Sequence, residues 1–216
     1  MTDHIEAGQV QAAGQVQARR PRADAERNRT RLLDAARAAF ASGQAPVTLD
    51  QIARDAEVGI GTLYRHFPTR EALVEALYRK ELADLCATAA DLLETHAPER
   101  ALRAWMDGFA NYVAAKREMA EALRAVFASG AVTVSQARGE LTVAVKQILD
   151  AGIADGTLRD DVRPGDVVAM IVGIFTATST AGGREQLERM FDLLVDAVRR
   201  PEQARPGQAV SLDIRR

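Results

Sequence analysis

The chain has 216 residues, 47% hydrophobic, 27% charged and 5% aromatic, with a formal net charge of −2. This is the profile of a globular protein with one sizeable core or two smaller ones; the average charge gives no sign of a nucleic-acid partner, although averages hide patches. A single cysteine, Cys86, excludes an intramolecular disulfide and cysteine-rich zinc sites, and three scattered histidines (His4, His66, His96) offer no ligand spacing. No metal and no cofactor is therefore expected. The first residues lack the apolar core of a signal peptide, and the longest strongly apolar run, 167–175, falls well short of the roughly 20 residues that span a bilayer. A cytoplasmic location is the expectation.

Residues 1–20 are rich in Gln, Ala and Gly, contain the near-repeat AGQVQAAGQVQA and show no sustained periodicity, which predicts a disordered tail. In RRPRADAERNRTR, Arg19, Arg20, Arg22, Arg27, Arg29 and Arg31 outnumber Asp24 and Glu26. A solvated helix start and a basic flank both fit that pattern. From about Asn28, Leu32, Leu33, Ala36 and Phe40 recur at helical spacing, and SGQAP at 42–46 breaks the pattern. Thr48 and Gln51 read as a capping box opening a short helix that turns Leu49, Ile52 and Ala53 inward. A turn over 57–59 follows, then a second short helix through Leu63 and Phe67 that Pro68 stops. Thr69 caps a long helix with Glu71 in its first turn. Further helices are predicted near 69–95, 99–116, 118–128, 136–154, 164–180 and 184–199. No stretch alternates with period two, so the fold class is all-α. The polar end after Pro201 reads as disordered.

Residues 57–68, EVGIGTLYRHFP, hold two glycines within an otherwise helical stretch, where each costs roughly 0.5–1 kcal/mol relative to alanine. The short helices around them are stable only as a packed tripod on Leu33, Phe40, Leu49, Ile52, Ala53, Val58, Leu63 and Phe67, with Ala53 small where two helices cross. That arrangement is a helix-turn-helix, whose second helix enters the DNA major groove. Gly59 and Gly61, lacking Cβ, would let backbone N–H groups come close to phosphates and base edges. Thr62, Tyr64 and His66 supply donors on the open face, and Arg70 is placed to meet a phosphate.

The stretch VTLDQIARDAEVGIGTLYRHFPTREALVEALY resembles the DNA-binding signature of the TetR family of transcriptional regulators, and RTRLLDAARAAFASG resembles the first helix of that family. The resemblance covers about residues 28–80. It implies a homodimer with an N-terminal three-helix helix-turn-helix domain and a larger C-terminal helical domain that binds a small effector and dimerises. By position, it implies phosphate contact for Thr48, Tyr64, His66 and Arg70, base-edge contact for Ile60, Gly61 and Thr62, and a basic helix-opening role for Arg29. Two positions depart from the family: Glu57 stands where glycine is usual, and Gly59 where a small polar residue is usual. Gly59 is expected to take over part of the freedom of that turn; a left-handed Glu57 would cost about 1–2 kcal/mol. The domains expected are 1–20 as a tail, 21–68 for DNA binding, 69–200 for effector binding and dimerisation, and 201–216 as a tail.

Beyond residue 70 no Ser/His/Asp set, phosphate loop or metal cluster appears, so an enzyme is not expected. Cys86, among Ala and Leu, reads as a small core residue. Trp105, Phe109, Tyr112 and Phe127 gather much of the sparse aromatic content; core packing and an apolar effector pocket are both open, with Asn111, Thr176 and Thr178 as polar candidates. DVVAMIVGIFTATST is apolar around most of its circumference, and the following helix carries Leu187, Met190, Phe191, Leu194 and Val198. A two-fold four-helix interface formed by Met170, Gly173, Ala177, Leu187, Phe191, Leu194 and Val198 would cover them; a helix central in its own domain is the alternative. The resulting expectation is a repressor, released from a palindromic operator by a small effector of unknown identity. An all-α small-molecule-binding protein or enzyme with a vestigial DNA module, and a constitutive DNA binder whose C-terminal domain only dimerises, are the rivals.

Overall fold

The computed structural model describes residues 10–42, 47–117, 119–178 and 183–201, and their side chains apart from 10–21 and 117. Among the described residues there are nine helices: α1 Val10–Ala41, α2 Leu49–Asp55, α3 Ile60–His66, α4 Arg70–Thr95, α5 Pro98–Arg117, α6 Ala120–Ala128, α7 Val134–Ala154, α8 Pro164–Thr178 and α9 Gly183–Val198. The all-α class holds. The chain divides into two compact units, one of residues 1–84 with 111–137 and one of 85–110 with 138–216.

In the first unit α1, α2 and α3 pack on one another around Leu32, Leu33, Ala36, Phe40, Ile52, Ala53, Leu63 and Phe67, all buried. The seven-residue α2 and α3 are too short to persist alone in water, so this burial is what makes them helices. Helix α1 begins at Val10, in a stretch expected to be a tail. Ala, Gln and Arg are good helix formers; the segment's sequence carries no apolar stripe, and a reading built on apolar spacing passes over such a helix. Residues 1–9 and 202–216 of the expected tails, and 43–46 of the expected break, lie outside the described residues.

Two caps take the predicted form in part. Thr48 is extended and its Oγ1 accepts from the Gln51 N–H at 3.2 Å. The reciprocal arm of a capping box does not form: Gln51 Nε2 donates to Asp55 Oδ1 at 2.5 Å, and Gln51 Oε1 accepts from Arg54 at 2.8 Å. Thr69 Oγ1 accepts from the Ala72 N–H at 3.1 Å and caps α4 as expected.

The same unit contains a nearly dry charge cluster. The Glu81 carboxylate meets Lys116 Nζ at 2.8 Å and Arg37 Nε at 3.3 Å, and the Glu81 and Lys116 side chains are both 10% exposed. The Lys116 ammonium also lies 4.5 Å from the Tyr78 ring centroid and 4.3 Å from that of Tyr112. Burial pushes the Lys116 pKa down against the opposing pull of Glu81.

The second unit is built on Trp105, Met106, Ile148, Leu149, Val167, Ile171, Phe191 and Leu194. Helices α8 and α9 pack together. Arg103 on α5 donates to Asp192 on α9 at 2.6 Å and lies 5.6 Å from the Phe191 ring centroid. Backbone bonds from Arg159 to Val198 and from Arg200 to Thr157 tie 157–159 to the end of α9. Gly152 is required here by close approach, since a Cβ would stand 2.4 Å from Leu158 Cγ.

Candidate nucleic-acid interface

The α2–α3 turn is made by Glu57, whose φ of +54° is the left-handed conformation usually left to glycine. Its N–H donates to the Arg54 carbonyl at 2.9 Å, and its carboxylate stands 3.6 Å from Arg31. Gly59, expected to supply part of the turn's freedom, does not do so. It is an ordinary extended N-cap at φ −60° and ψ 139°, its carbonyl accepting from Thr62 and Leu63. The whole left-handed burden falls on Glu57.

Helix α3 presents two unlike faces. Leu63 and the C-capping Phe67 are buried against α1 and α2, whereas Gly59, Ile60, Gly61, Tyr64 and Arg65 are exposed, Tyr64 by 48%. Thr62 and His66 are half-buried beside them. A Cβ built on Gly59 or Gly61 meets nothing within 4 Å, and neither has a positive φ. No internal packing or conformation asks for glycine at either place. Arg65 has no ion pair or hydrogen bond among the described residues. Sequence reading missed it: its place between Tyr64 and His66, on the face opposite Leu63, was the available signal.

The two flanking arginines are partly engaged within the fold. Arg29 holds its guanidinium 5.3 Å from the Phe67 ring centroid. Arg70 donates through Nη1 to the Val47 carbonyl and lies 5.5 Å from the Phe40 ring centroid. Arg29 thus braces the carboxyl-terminal end of α3, and Arg70 ties the start of α4 to α1 and to the residue before the Thr48 cap. Thr48, at the start of α2, is exposed with its hydroxyl oxygen on the Gln51 amide.

The candidate effector residues are distributed over both units. In the second unit, Trp105 is 1% exposed and donates Nε1–H to the Leu85 carbonyl at 3.1 Å; Phe109 stacks on it at 6.3 Å and meets Phe175 edge-on. In the first unit, Tyr112 and Phe127 lie against Tyr78 at 6.4 and 5.5 Å, with Phe127 partly exposed. Tyr78, Phe175, Glu81 and Lys116 were missed; the i, i+3 pair Tyr78/Glu81 and the i, i+4 pair Tyr112/Lys116 were the signals for the second cluster. Asn111 is exposed. The Thr176 and Thr178 hydroxyls donate to Val172 and Ile174 carbonyls one turn back in α8. Burial, and Glu140 second, raise the Cys86 thiol pKa to about 11.

The candidate interface residues also separate. Phe191, Leu194 and Val198 are buried within the chain itself and Leu187 is half-buried, so these face their own core. Met170, Gly173 and Ala177 are exposed along α8, with Met170 at 48%. Leu193 of α9, not foreseen, is 68% exposed. Among the described residues no group of three His, Cys, Asp or Glu could hold a metal ion, and no helix is long and apolar enough to cross a membrane.

A helix-turn-helix with an open, glycine-bearing second helix, followed by a helical C-terminal region, defines a DNA-binding regulator. Residues 32–77 match the family described as bacterial regulatory proteins, tetR family, and residues 97–200 match that described as transcriptional regulator SbtR-like, C-terminal domain. The TetR transcriptional regulator SCO0520 from Streptomyces coelicolor is 44% identical, with 81% of this chain and 99% of that one covered and a TM-score of 0.69. A TetR regulatory protein from Mycobacterium vanbaalenii is 31% identical over 83% and 99%, at TM-score 0.64. The regulator FadR from Bacillus subtilis in complex with stearoyl-CoA, 17% identical over 77% and 95% at TM-score 0.51, shares the fold. No curated protein matches the chain. The chain belongs to the TetR family of transcriptional regulators.

Proposed function

We propose that this protein is a cytoplasmic, homodimeric repressor that leaves a palindromic operator when a small molecule binds its C-terminal region. The observation that carries the DNA-reading part is the open face of α3. It combines two glycines without an internal reason, the hydroxyls of Thr62 and Tyr64, and a guanidinium at Arg65 with no partner in the described chain. Backbone amides beside Gly59 and Gly61 can come close to a duplex, Ile60 and Thr62 can meet base edges, and Tyr64, Arg65, His66 and Thr48 can meet phosphates. Arg29 and Arg70 hold α3 and its flanks in place while keeping spare N–H donors for the backbone.

Dimerisation is supported by the exposed apolar side chains of Met170 and Val172 around Gly173 and Ala177 on α8, and of Leu193 on α9. A second copy covering this face by a two-fold axis would give the dimer that two half-sites of a palindrome call for. The effector reading is supported by the family match over 97–200 and by the fold shared with a regulator that holds stearoyl-CoA. Of the candidates, Asn111 and Phe127 are reachable as they stand, and Tyr112 lies next to Phe127 across Tyr78. Trp105, Phe109, Thr176 and Thr178 would need packing or helix hydrogen bonds to yield. Release requires an effector with different affinities for the free and operator-bound arrangements.

The test is a fluorescence titration on a duplex recovered by selection from random sequence. Thr62→Ala is expected to change which base is preferred at one position of each half-site, a discrimination of about 1–3 kcal/mol. A uniform loss across all sequences would remove Thr62 from base reading. A metabolite screen for duplex release, on the same complex, tests the effector.

A further inference from the structure

Residues 22–27 of α1 are not used by the tripod. They are all exposed, and among the described side chains the first buried one is Leu32. Five arginines on α1 have described side chains, and four are engaged. Arg27 pairs with Asp24, Arg29 lies over Phe67, Arg31 stands 3.6 Å from Glu57, and Arg37 meets Glu81 and Asp84 at 3.3 and 3.2 Å. Arg22 alone has no partner among the described residues. Glu26, one turn along and within reach of a long side chain, is not paired with it.

The register of the helix gives Arg22 a direction. Residues seven apart share a stripe, because two turns hold about 7.2 residues, and they are separated by about 10.5 Å along the axis. Arg29 points from that stripe at Phe67, the C-cap of α3. Arg22 therefore lies two turns upstream on the side of α1 that faces the end of the reading helix, beyond the last residue the tripod covers. A solvated cation on that line, in a chain of net charge −2, suits a polyanion running past the end of α3.

We propose that Arg22 contacts the sugar-phosphate backbone of duplex DNA just outside the half-site read by α3, making the amino-terminal turns of α1 a second, sequence-independent DNA-binding element. This rests on the reading of α3 as the DNA-facing helix. The added element increases affinity and footprint length, with no effect on which bases are preferred.

The test uses the full chain, a labelled duplex carrying the selected sequence with native-length flanks, and a second duplex trimmed to the half-sites, titrated over a range of salt. Arg22→Gln is expected to lower the slope of log K against log salt by about 0.9 for each phosphate that is no longer neutralised. It should leave the selected sequence and the melting temperature unchanged, and it should match wild type on the trimmed duplex. Arg27→Gln, whose guanidinium already has a carboxylate, should keep the wild-type slope. Equal slopes for Arg22→Gln and wild type on the flanked duplex overturn the proposal, as does a deficit that persists on the trimmed duplex or a lowered melting temperature. If wild type binds and only Arg22→Gln is silent, the α3 reading stands and the Arg22 assignment falls. If wild type ignores duplex DNA, both fall.

Discussion

Helices α3 and α8 each carry glycine on a solvent face, and in each the glycine has no internal cause. A Cβ on Gly61 or on Gly173 would meet nothing within 4 Å, and neither has a positive φ. Both helices therefore bear a cost of roughly 0.5–1 kcal/mol that the folded chain alone does not recover. The surroundings differ. Around Gly61 stand Thr62, Tyr64 and Arg65; around Gly173 stand Met170, Val172 and Ala177. The same vacancy beside hydroxyls and a cation fits a phosphate backbone, and beside aliphatic side chains it fits another apolar helix. A glycine without an internal purpose points outward, and its neighbours state the chemistry of what arrives.

Each face depends first on what holds it in place. Leu63 is fully buried behind the open side of α3, so Leu63→Ala should destabilise the first unit by about 2–5 kcal/mol in urea unfolding and abolish duplex binding. Arg70→Ala removes a donor from the Val47 carbonyl and a cation from the Phe40 ring, and should cost about 1–3 kcal/mol before any effect on DNA. Thermal unfolding should therefore move together with affinity; affinity loss at unchanged stability would assign Arg70 to phosphate contact alone.

The glycines themselves sharpen the contrast. Gly61→Ala and Gly173→Ala should each be neutral or stabilising in the dilute chain, by up to about 1 kcal/mol. Gly61→Ala should weaken duplex binding without changing sedimentation, and Gly173→Ala should shift sedimentation towards the monomer at high dilution and weaken duplex binding only where the dimer is lost. Identical behaviour of the two variants would end the distinction. The smallest expected effect lies away from both faces. With its pKa raised to about 11, Cys86 is a neutral thiol at pH 7 and should alkylate slowly, the rate climbing only as pH approaches that value.

Much of the tripod was legible because its signals are local. The spacing of Leu32, Leu33, Ala36 and Phe40, the caps at Thr48 and Thr69, and the stop at Pro68 each depend on neighbours within a turn or two. The strain at Glu57 was legible from the resemblance, which places glycine at that turn. What stayed hidden depends on residues far apart in the chain. Arg70 is turned inward by a carbonyl 23 residues away, whereas the return arm of Gln51 was lost to near rivals, Asp55 and Arg54. Trp105 and Tyr112, seven apart on one helix, take partners that spacing does not name, Leu85 in one case and Tyr78 in the other. Helix α9 has one strong apolar stripe, and spacing alone does not say whether Phe191, Leu194 and Val198 serve their own core or a neighbour's; burial within the chain answers that.

The most direct measurement of the central claim, that the open face of α3 reads duplex DNA, is selection of the full-length chain against random duplexes at low ionic strength, run in parallel with Thr62→Ala. Enrichment of two inverted half-sites with centres about one helical turn, or a multiple of it, apart is the predicted result, with Thr62→Ala enriching a different base at a matching position of each half. Absence of enrichment by wild type, or the same consensus from both proteins, would contradict it.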